Sequence, residues 1–135
     1  MRTIIATEKA PAAIGPYSQA NKFGNLVITS GQLPIDMATG AFPEGIEAQT
    51  KASLENVKTI LENAGSSMDK VLKTTVFLKD INDFAAMNGV YATFFSEGSY
   101  PAAPSRSRDF PRTRLLRSRQ LPTSTDLFYT GKVLL

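Results

Sequence analysis

The feature that most restricts the fold of this chain is a hairpin pattern in residues 13–34, AIGPYSQANKFGNLVITSGQLP. Gly24 and Asn25 separate two runs that can pair, residues 17–23 and 26–30, and this spacing is typical of a β-hairpin. The chain therefore carries at least one antiparallel pair of strands close to its N-terminus.

The second strand of this hairpin contains a continuous apolar run, Leu-Val-Ile at residues 26–28, bounded by turn residues. Such a run favours a strand that is buried on both faces. Pairing in this register would place the Tyr17 phenol and the Ser30 hydroxyl at the same end of the hairpin, where Gly31 allows a sharp turn. The sequence thus predicts that two hydroxyl groups converge at one corner.

The rest of the first hundred residues contains two further strand patterns and two helix patterns. A β-branched segment at the N-terminus predicts an edge strand, and strict alternation further on predicts another strand. Two segments with apolar residues three or four positions apart predict amphipathic helices, the first ended by Gly65. The predicted strands are residues 2–7 and 71–78, and the predicted helices are residues 46–64 and the segment after 80–83 whose apolar stripe runs from Phe84 to Phe95. The order is β-β-β-α-β-α, an α+β fold with both helices on one face of a mixed sheet.

Composition excludes several kinds of active site. The chain has no cysteine and no histidine, which removes zinc sites built from those residues and any Ser-His-Asp or Cys-His machinery. No apolar run approaches the roughly 20 residues that span a bilayer, and the N-terminus lacks the apolar region of a signal peptide. We therefore expect a cytoplasmic protein with no metal and no membrane attachment.

The charge of the chain changes abruptly after Ala102. Residues 1–102 carry eight Lys plus Arg against ten Asp plus Glu, whereas residues 103–135 carry seven against two, and six of those seven are arginine. The second segment has neither the period of a strand nor that of a helix. Residues 1–102 are therefore interpreted as the α+β domain and residues 103–135 as a separate arginine-rich segment.

Four motifs in this order resemble the RidA/YjgF family of reactive-intermediate deaminases. They are GPYSQA at 15–20, TSGQLP at 29–34, the run LENVKTILENAGSSMDKVLKTTVFLKDINDFAAMNGVYATFF at 54–95, and YPA at 100–102. The resemblance implies a chorismate-mutase-like α+β fold, a homotrimer with pockets between subunits, and hydrolysis of small 2-imino acids such as 2-iminobutanoate and 2-iminopropanoate to 2-keto acids and ammonia. It implies no cofactor, because the imine carbon is already electrophilic.

The resemblance also assigns candidate site residues. Tyr17 and Ser30 match the family's pocket motifs and are the candidate catalytic residues. Asn88 equally suits a solvent-facing helix position, and Tyr91 lies on the apolar stripe of the second helix, where a core position competes with a site position. The candidate substrate-binding residues are Gly31, Gln19, Asn88 and Tyr91, and Gln32 matches by motif alone.

Arg106 is the third catalytic candidate, because the family places an arginine that pairs with the substrate carboxylate shortly after its Pro-Ala. A different interpretation competes with this one. Codons for residues 103–122 can be chosen so that a reading frame shifted by two bases spells AVEVARLPKDALVEIEAIA, which is similar to the family's last two strands, and the same frame then gives Tyr-Lys-Tyr and a stop. On that interpretation residues 103–135 are out of frame, Arg106 stands where it does by accident, and buried arginines would prevent this segment from packing as those strands.

Two other functions fit parts of the sequence. The arginines would suit phosphate contacts in an RNA-binding or endoribonuclease-type translation inhibitor, but they lack interleaved aromatic residues and the body is net acidic. A homotrimer that binds a small keto acid without turning it over is the other alternative. The sequence favours the imine deaminase over both.

Overall fold

A computed structural model of the chain describes residues 1–102, 105–107 and 130–134, the last two segments as backbone only. These described residues form six strands and two helices, with single 3-10 turns at Met68–Lys70 and Ile81–Asp83. The strands are β1 Arg2–Ile5, β2 Ala20–Phe23, β3 Leu26–Thr29, β4 Lys73–Leu78, β5 Ser105–Ser107 and β6 Thr130–Leu134, and the helices are α1 Ile46–Asn63 and α2 Phe84–Ala92. The predicted α+β fold and the order β-β-β-α-β-α through residue 102 are confirmed.

Several elements are shorter than the sequence predicts, including β1, which ends at Ile5, and β4, which begins at Lys73. The first hairpin strand begins at Ala20 instead of residue 17, because the chain before it makes a tight local turn in which the Tyr17 N–H donates to the Gly15 carbonyl at 2.8 Å. The second helix ends at Ala92, although Phe95 beyond it is still buried. Apolar periodicity therefore predicts which side chains face the core better than it predicts where the helix ends.

The six strands form one mixed sheet in the order β1-β2-β3-β6-β4-β5. Strands β1, β2 and β3 are antiparallel neighbours, and the hairpin between β2 and β3 turns at Gly24, whose φ of 56° is the left-handed conformation that glycine adopts readily. Strand β6 runs parallel to both β3 and β4, and β5 runs parallel to β4. The two halves of the sheet are thus joined by a strand from the end of the chain.

Both helices cover one face of the sheet and enclose the core there. The largest fully buried side chains of α1 are Leu54, Ile60 and Leu61, which belong to one buried cluster with Val76 and Leu78 of β4. Each side chain of this size contributes about 1.5–3 kcal/mol when it is removed from water. This burial explains why α1 is helical along its whole length despite the polar residues that it contains.

The opposite face of the sheet carries apolar residues that no described part of the chain covers. One cross-strand row consists of Ile4, Asn21 and Ile28, and Phe23 lies two residues further along β2. The isoleucines are 58% and 40% exposed and Phe23 is 64% exposed, whereas the Oδ1 atom of Asn21 is buried and has no hydrogen-bond partner. We call this row together with Phe23 the open face.

Two stretches of the arginine-rich segment do join the sheet. Strand β5 includes Arg106, whose backbone lies in register with Phe77, and β6 occupies the position between β3 and β4. The prediction that buried arginines keep residues 103–135 from packing as the family's last two strands concerns side chains, and these two stretches are described as backbone only. β5 is a three-residue edge strand, where pairing does not require burial, and β6 contains no arginine. The other arginines lie outside the described residues, and for them the expectation stays a prediction.

Candidate functional site

The site begins at the corner where β3 ends. The Ser30 N–H and the Ser30 hydroxyl both donate to the Gln19 carbonyl, at 2.9 and 3.1 Å. The hydroxyl also accepts from Nε2 of Gln32 at 3.1 Å. Ser30 is half-buried and lines a cleft together with Gly31 and Tyr17. The structure thus brings together the two hydroxyl-bearing residues that the hairpin pattern predicts at this corner.

Tyr17 presents its phenol at the mouth of this cleft. The side chain is half exposed, and its oxygen accepts a hydrogen bond from the Ile14 N–H at 3.2 Å. Because the phenol acts as an acceptor in this contact, its own proton remains available to donate to a bound molecule. The backbone therefore holds the Tyr17 side chain in place, and the phenol O–H can still donate a hydrogen bond.

Gln19 lines the same cleft, and its side chain also holds the neighbouring loop. Its amide is buried and binds only backbone: Oε1 accepts from the Thr7 N–H at 2.6 Å, and Nε2 lies within 3.2 Å of the carbonyls of Thr7, Ala10 and Pro11. These contacts use the hydrogen-bonding capacity of the amide. Gln19 fixes the loop that forms one wall of the cleft.

Helix α1 holds the other wall through two buried polar residues that sequence reasoning missed. The Ser53 hydroxyl donates to the Gln32 carbonyl at 3.3 Å, and the Asn56 amide donates to the carbonyls of Leu33 and Ile35 at 3.3 and 2.9 Å. A signal was present in the sequence, because Ser53 adjoins Leu54 on the apolar stripe of the helix. A polar residue on such a stripe indicates a buried hydrogen bond.

The cleft is small and carries no charge. Its volume is about 30 Å³, close to the share of one water molecule in the liquid. None of the described side chains that line it is a lysine, arginine, aspartate or glutamate. Within the described ranges no cluster of acidic side chains could hold a metal ion. One chain thus offers a place for a water and two hydroxyls, but no described group that could pair with a carboxylate.

Asn88 and Tyr91 do not line this cleft. Asn88 is exposed on α2, and Tyr91 is buried, stacks on Phe95 with ring centroids 4.9 Å apart, and shares a 2.6 Å hydrogen bond with the Thr74 hydroxyl. Burial raises the pKa of Tyr91 above its usual 10.0, and the bond to Thr74 offsets this in part. The contacts of Tyr91 indicate a core residue, which is the alternative that the apolar stripe favoured.

Arg106 is also separated from the corner within one chain. Its strand, β5, is three positions from β3 in the sheet, a distance of roughly 14 Å at the usual strand spacing. Two larger cavities lie elsewhere: one of about 640 Å³ near Phe42 and Lys79, and one of about 560 Å³ between the two helices. Neither of them contains Tyr17 or Ser30.

The described part of the chain also contains no helix that is long and apolar enough to cross a membrane.

Comparison with known proteins identifies the family. The model of the family described as endoribonuclease L-PSP matches residues 7–108. A relative from Escherichia coli K12 named 2-iminobutanoate/2-iminopropanoate deaminase is 52% identical over 104 residues, which cover 76% of this chain and 81% of that protein. A Haemophilus influenzae protein named as a RutC family protein is 59% identical over 107 residues, covering 79% of this chain and 82% of that protein.

Solved structures agree with these sequence relatives. The YjgF gene product of E. coli has a TM-score of 0.75 and 48% identity, covering 82% of this chain and 89% of that one. The E. coli protein TdcF, solved with bound serine, has a TM-score of 0.74 and 41% identity, covering 82% of this chain and 89% of that one. The chain therefore belongs to the RidA/YjgF family, also described as endoribonuclease L-PSP.

Proposed function

We propose that this protein hydrolyses small 2-imino acids, such as 2-iminobutanoate and 2-iminopropanoate, to 2-keto acids and ammonia. The observation that carries the proposal is the convergence of Tyr17, Ser30 and Gly31 at one cleft in a chain that is 52–55% identical to proteins named as 2-iminobutanoate/2-iminopropanoate deaminases. TdcF, another relative, was solved with bound serine, a ligand of the size and charge of such a substrate.

The arrangement suits water addition to a carbon–nitrogen double bond. Water adds to the imine carbon, a proton moves to the nitrogen, and ammonia leaves as the carbonyl forms, so that imine and water are converted to ketone and ammonia. The Tyr17 phenol can donate to the substrate or to the attacking water. The Ser30 hydroxyl already donates to the Gln19 carbonyl, so its role is to accept and to orient. The cleft has room for about one water at this corner.

A second copy of the chain would complete the site. The cleft of one chain is far smaller than a 2-imino acid, and no described lining residue is a cation. The strand of Arg106 and the exposed Asn88 lie elsewhere on the molecule. The open face supplies the contact surface, because exposed isoleucine and phenylalanine side chains around a buried unpaired Asn21 oxygen indicate a surface that another molecule covers. We propose a homotrimer formed through this face.

The homotrimer is tested by light scattering of the purified chain after size exclusion. We expect a mass three times that of the single chain, and we expect Ile28→Lys on the open face to reduce it to that of a monomer. Met37→Lys is the matched control, since Met37 is exposed to a similar degree but does not lie on the sheet. A monomeric mass for the unaltered chain contradicts this part of the proposal.

The activity is tested by the release of pyruvate from 2-iminopropanoate generated in the assay. We expect Tyr17→Phe to lower the rate by about 10²-fold, since a positioned proton donor contributes at least that much. We expect the single variant Ser30→Ala to lower the rate by a larger factor, because it removes the hydrogen bond to Gln32. Tyr100→Phe is the control, because Tyr100 is equally exposed and does not line the cleft. The rate of pyruvate release is also measured with a chain that ends in AVEVARLPKDALVEIEAIA. If neither this chain nor the given chain releases pyruvate faster than buffer alone, the proposed function is contradicted.

A second candidate function is RNA binding or cleavage. The family description as an endoribonuclease favours it, and so do the arginines that follow Ala102. If RNA were the substrate, binding would weaken steeply with salt, because each neutralised phosphate releases counterions. Binding that depends on salt and is lost when residues 103–135 are removed would favour this function over the deaminase.

A further inference from the structure

The family resemblance and the sheet disagree about the last part of the chain. The family model stops matching at residue 108, and the relatives named above align with this chain over only 81–82% of their own length. About a fifth of each relative therefore has no counterpart here, although this chain continues to residue 135. The disagreement begins where the net charge changes sign and arginine replaces lysine.

The fold needs a strand from this part of the chain. Strands β3 and β4 do not pair with each other, and among the described strands β6 lies between them. The ladder between β6 and β4 has five pairs, from Lys73 to Phe77, but the ladder between β6 and β3 has a single pair at Ile28. A central position of a sheet that is paired on one side and nearly unpaired on the other is poorly filled.

The chain between β5 and β6 is long. Residues 108–129, which lie outside the described residues, separate the two strands in sequence. A connection of this length is what allows β6 to run parallel to β4, because parallel neighbours require a long crossover. The direction of β6 thus follows from the length of the segment before it.

We propose that residues 103–126 are encoded out of frame, and that the strand which belongs between β3 and β4 is encoded by the same nucleotides in the frame shifted by two bases. That frame can spell AVEVARLPKDALVEIEAIA. This string contains one arginine. It replaces a segment that contains six, at residues 106, 108, 112, 114, 117 and 119. The string divides into two alternating segments around Pro-Lys-Asp.

The shifted string has the properties that a strand between β3 and β4 requires. In LVEIEAIA, one set of alternate residues is Val, Ile, Ala and Ala, which suits the helix-covered face next to Val27, Thr74 and Val76, all buried. The short connection Pro-Lys-Asp-Ala reverses the chain, so the restored strand would run antiparallel to β4. The restored and written strands therefore differ in direction as well as in sequence.

The first test is the nucleotide sequence of the gene, read independently from its source. We expect the codons of residues 103–122, shifted by two bases, to spell the string above without interruption, followed by Tyr-Lys-Tyr and a stop. A shifted frame that contains another stop or that departs from the string at several codons overturns the proposal. This test does not depend on whether the protein is a deaminase. The test can therefore fail while the proposed function holds, and it can succeed while the proposed function fails.

The second test compares the full written chain with a chain in which the string replaces everything after Ala102. We expect the restored chain to unfold at a higher temperature, and amide exchange on β3 residues 26–29 to slow by more than tenfold because both sides of the central strand are then paired. The control carries lysine in place of both isoleucines of LVEIEAIA and should lose the gain. Equal stability and exchange in written and restored chains overturn the proposal, as does a restored strand that runs parallel to β4.

Discussion

The corner that carries Tyr17 and Ser30 and the helix α2 that carries Asn88 are built by opposite means. At the corner, the side chains of Gln19, Ser53 and Asn56 bind backbone carbonyls of irregular loops. Helix α2 satisfies its own backbone and attaches to the body through buried Met87 and Tyr91. A loop without secondary structure needs external partners for its polar groups, whereas a helix needs only an apolar face.

This difference predicts how substitutions in the two regions should change stability and the geometry of the site. Hydrogen bonds are directional, so removing one at the corner displaces the loop and the cleft with it. Apolar packing is not directional, so removing it from α2 costs stability without a specific change in the shape of the corner. Stability and site geometry should therefore respond differently in the two regions, and four substitutions, taken from the largest expected effect on stability to the smallest, test this.

The largest loss of stability is expected for Met87→Ala on α2. Met87 is 2% exposed, and truncation of a buried side chain of this size costs about 2–5 kcal/mol through lost burial and the cavity left behind. Unfolding by urea measures the loss, and Met37→Ala is the matched control because Met37 is 47% exposed. Equal midpoints for the two variants would show that α2 does not depend on apolar packing.

The next largest loss is expected for Asn56→Ala at the corner. The change leaves the partly buried Leu33 and Ile35 carbonyls without their donor, and each hydrogen bond lost costs about 0.5–1.5 kcal/mol. Unlike Met87→Ala, it should also shift the NMR signals of Ser30 and Gly31, with exposed Glu55→Ala on the same helix as the control. Unchanged signals at the corner would contradict the role given to α1 in holding it.

The same contrast explains what the sequence could predict. The convergence of Tyr17 and Ser30 follows from the pairing of neighbouring strands, which is local and has a recognisable turn. The backbone contacts of Gln19 were not predicted, because a motif does not show which way an amide faces. Ser53 and Asn56 were missed because their partners lie more than 20 residues earlier in the chain, at 32, 33 and 35, and such contacts depend on how the helix packs. Tyr91 was ambiguous because a helix stripe does not separate core from cleft.

A smaller loss is expected for Tyr91→Phe. The variant keeps the ring stack on Phe95 and removes the hydrogen bond to Thr74, which should cost about 1 kcal/mol, the typical net value of one such bond. Thermal unfolding at neutral pH measures the loss. A decrease as large as that of Met87→Ala would show that the hydroxyl, and not the ring, attaches α2 to the sheet.

The same residue predicts a pH dependence. Burial raises the pKa of Tyr91 in the folded state above its value of 10.0 when unfolded. The unfolded chain therefore loses this proton first, so the stability that Tyr91 contributes is complete below pH 10 and is lost as the pH rises above 10 towards the folded pKa. The stability of the unaltered chain should fall more steeply above pH 10 than that of Tyr91→Phe. Parallel pH profiles would contradict a buried, protonated Tyr91.

The smallest effect on stability is expected for Asn88→Ala. Asn88 is exposed on α2, and substitutions at such positions usually change stability by less than about 0.5 kcal/mol. If a second copy brings α2 to the corner, this variant should nevertheless slow pyruvate release, whereas Asn82→Ala, an exposed asparagine just before the helix, should leave both stability and rate unchanged. A rate equal to that of the control would place α2 outside the site, and the two regions would then be separate in function as well as in construction.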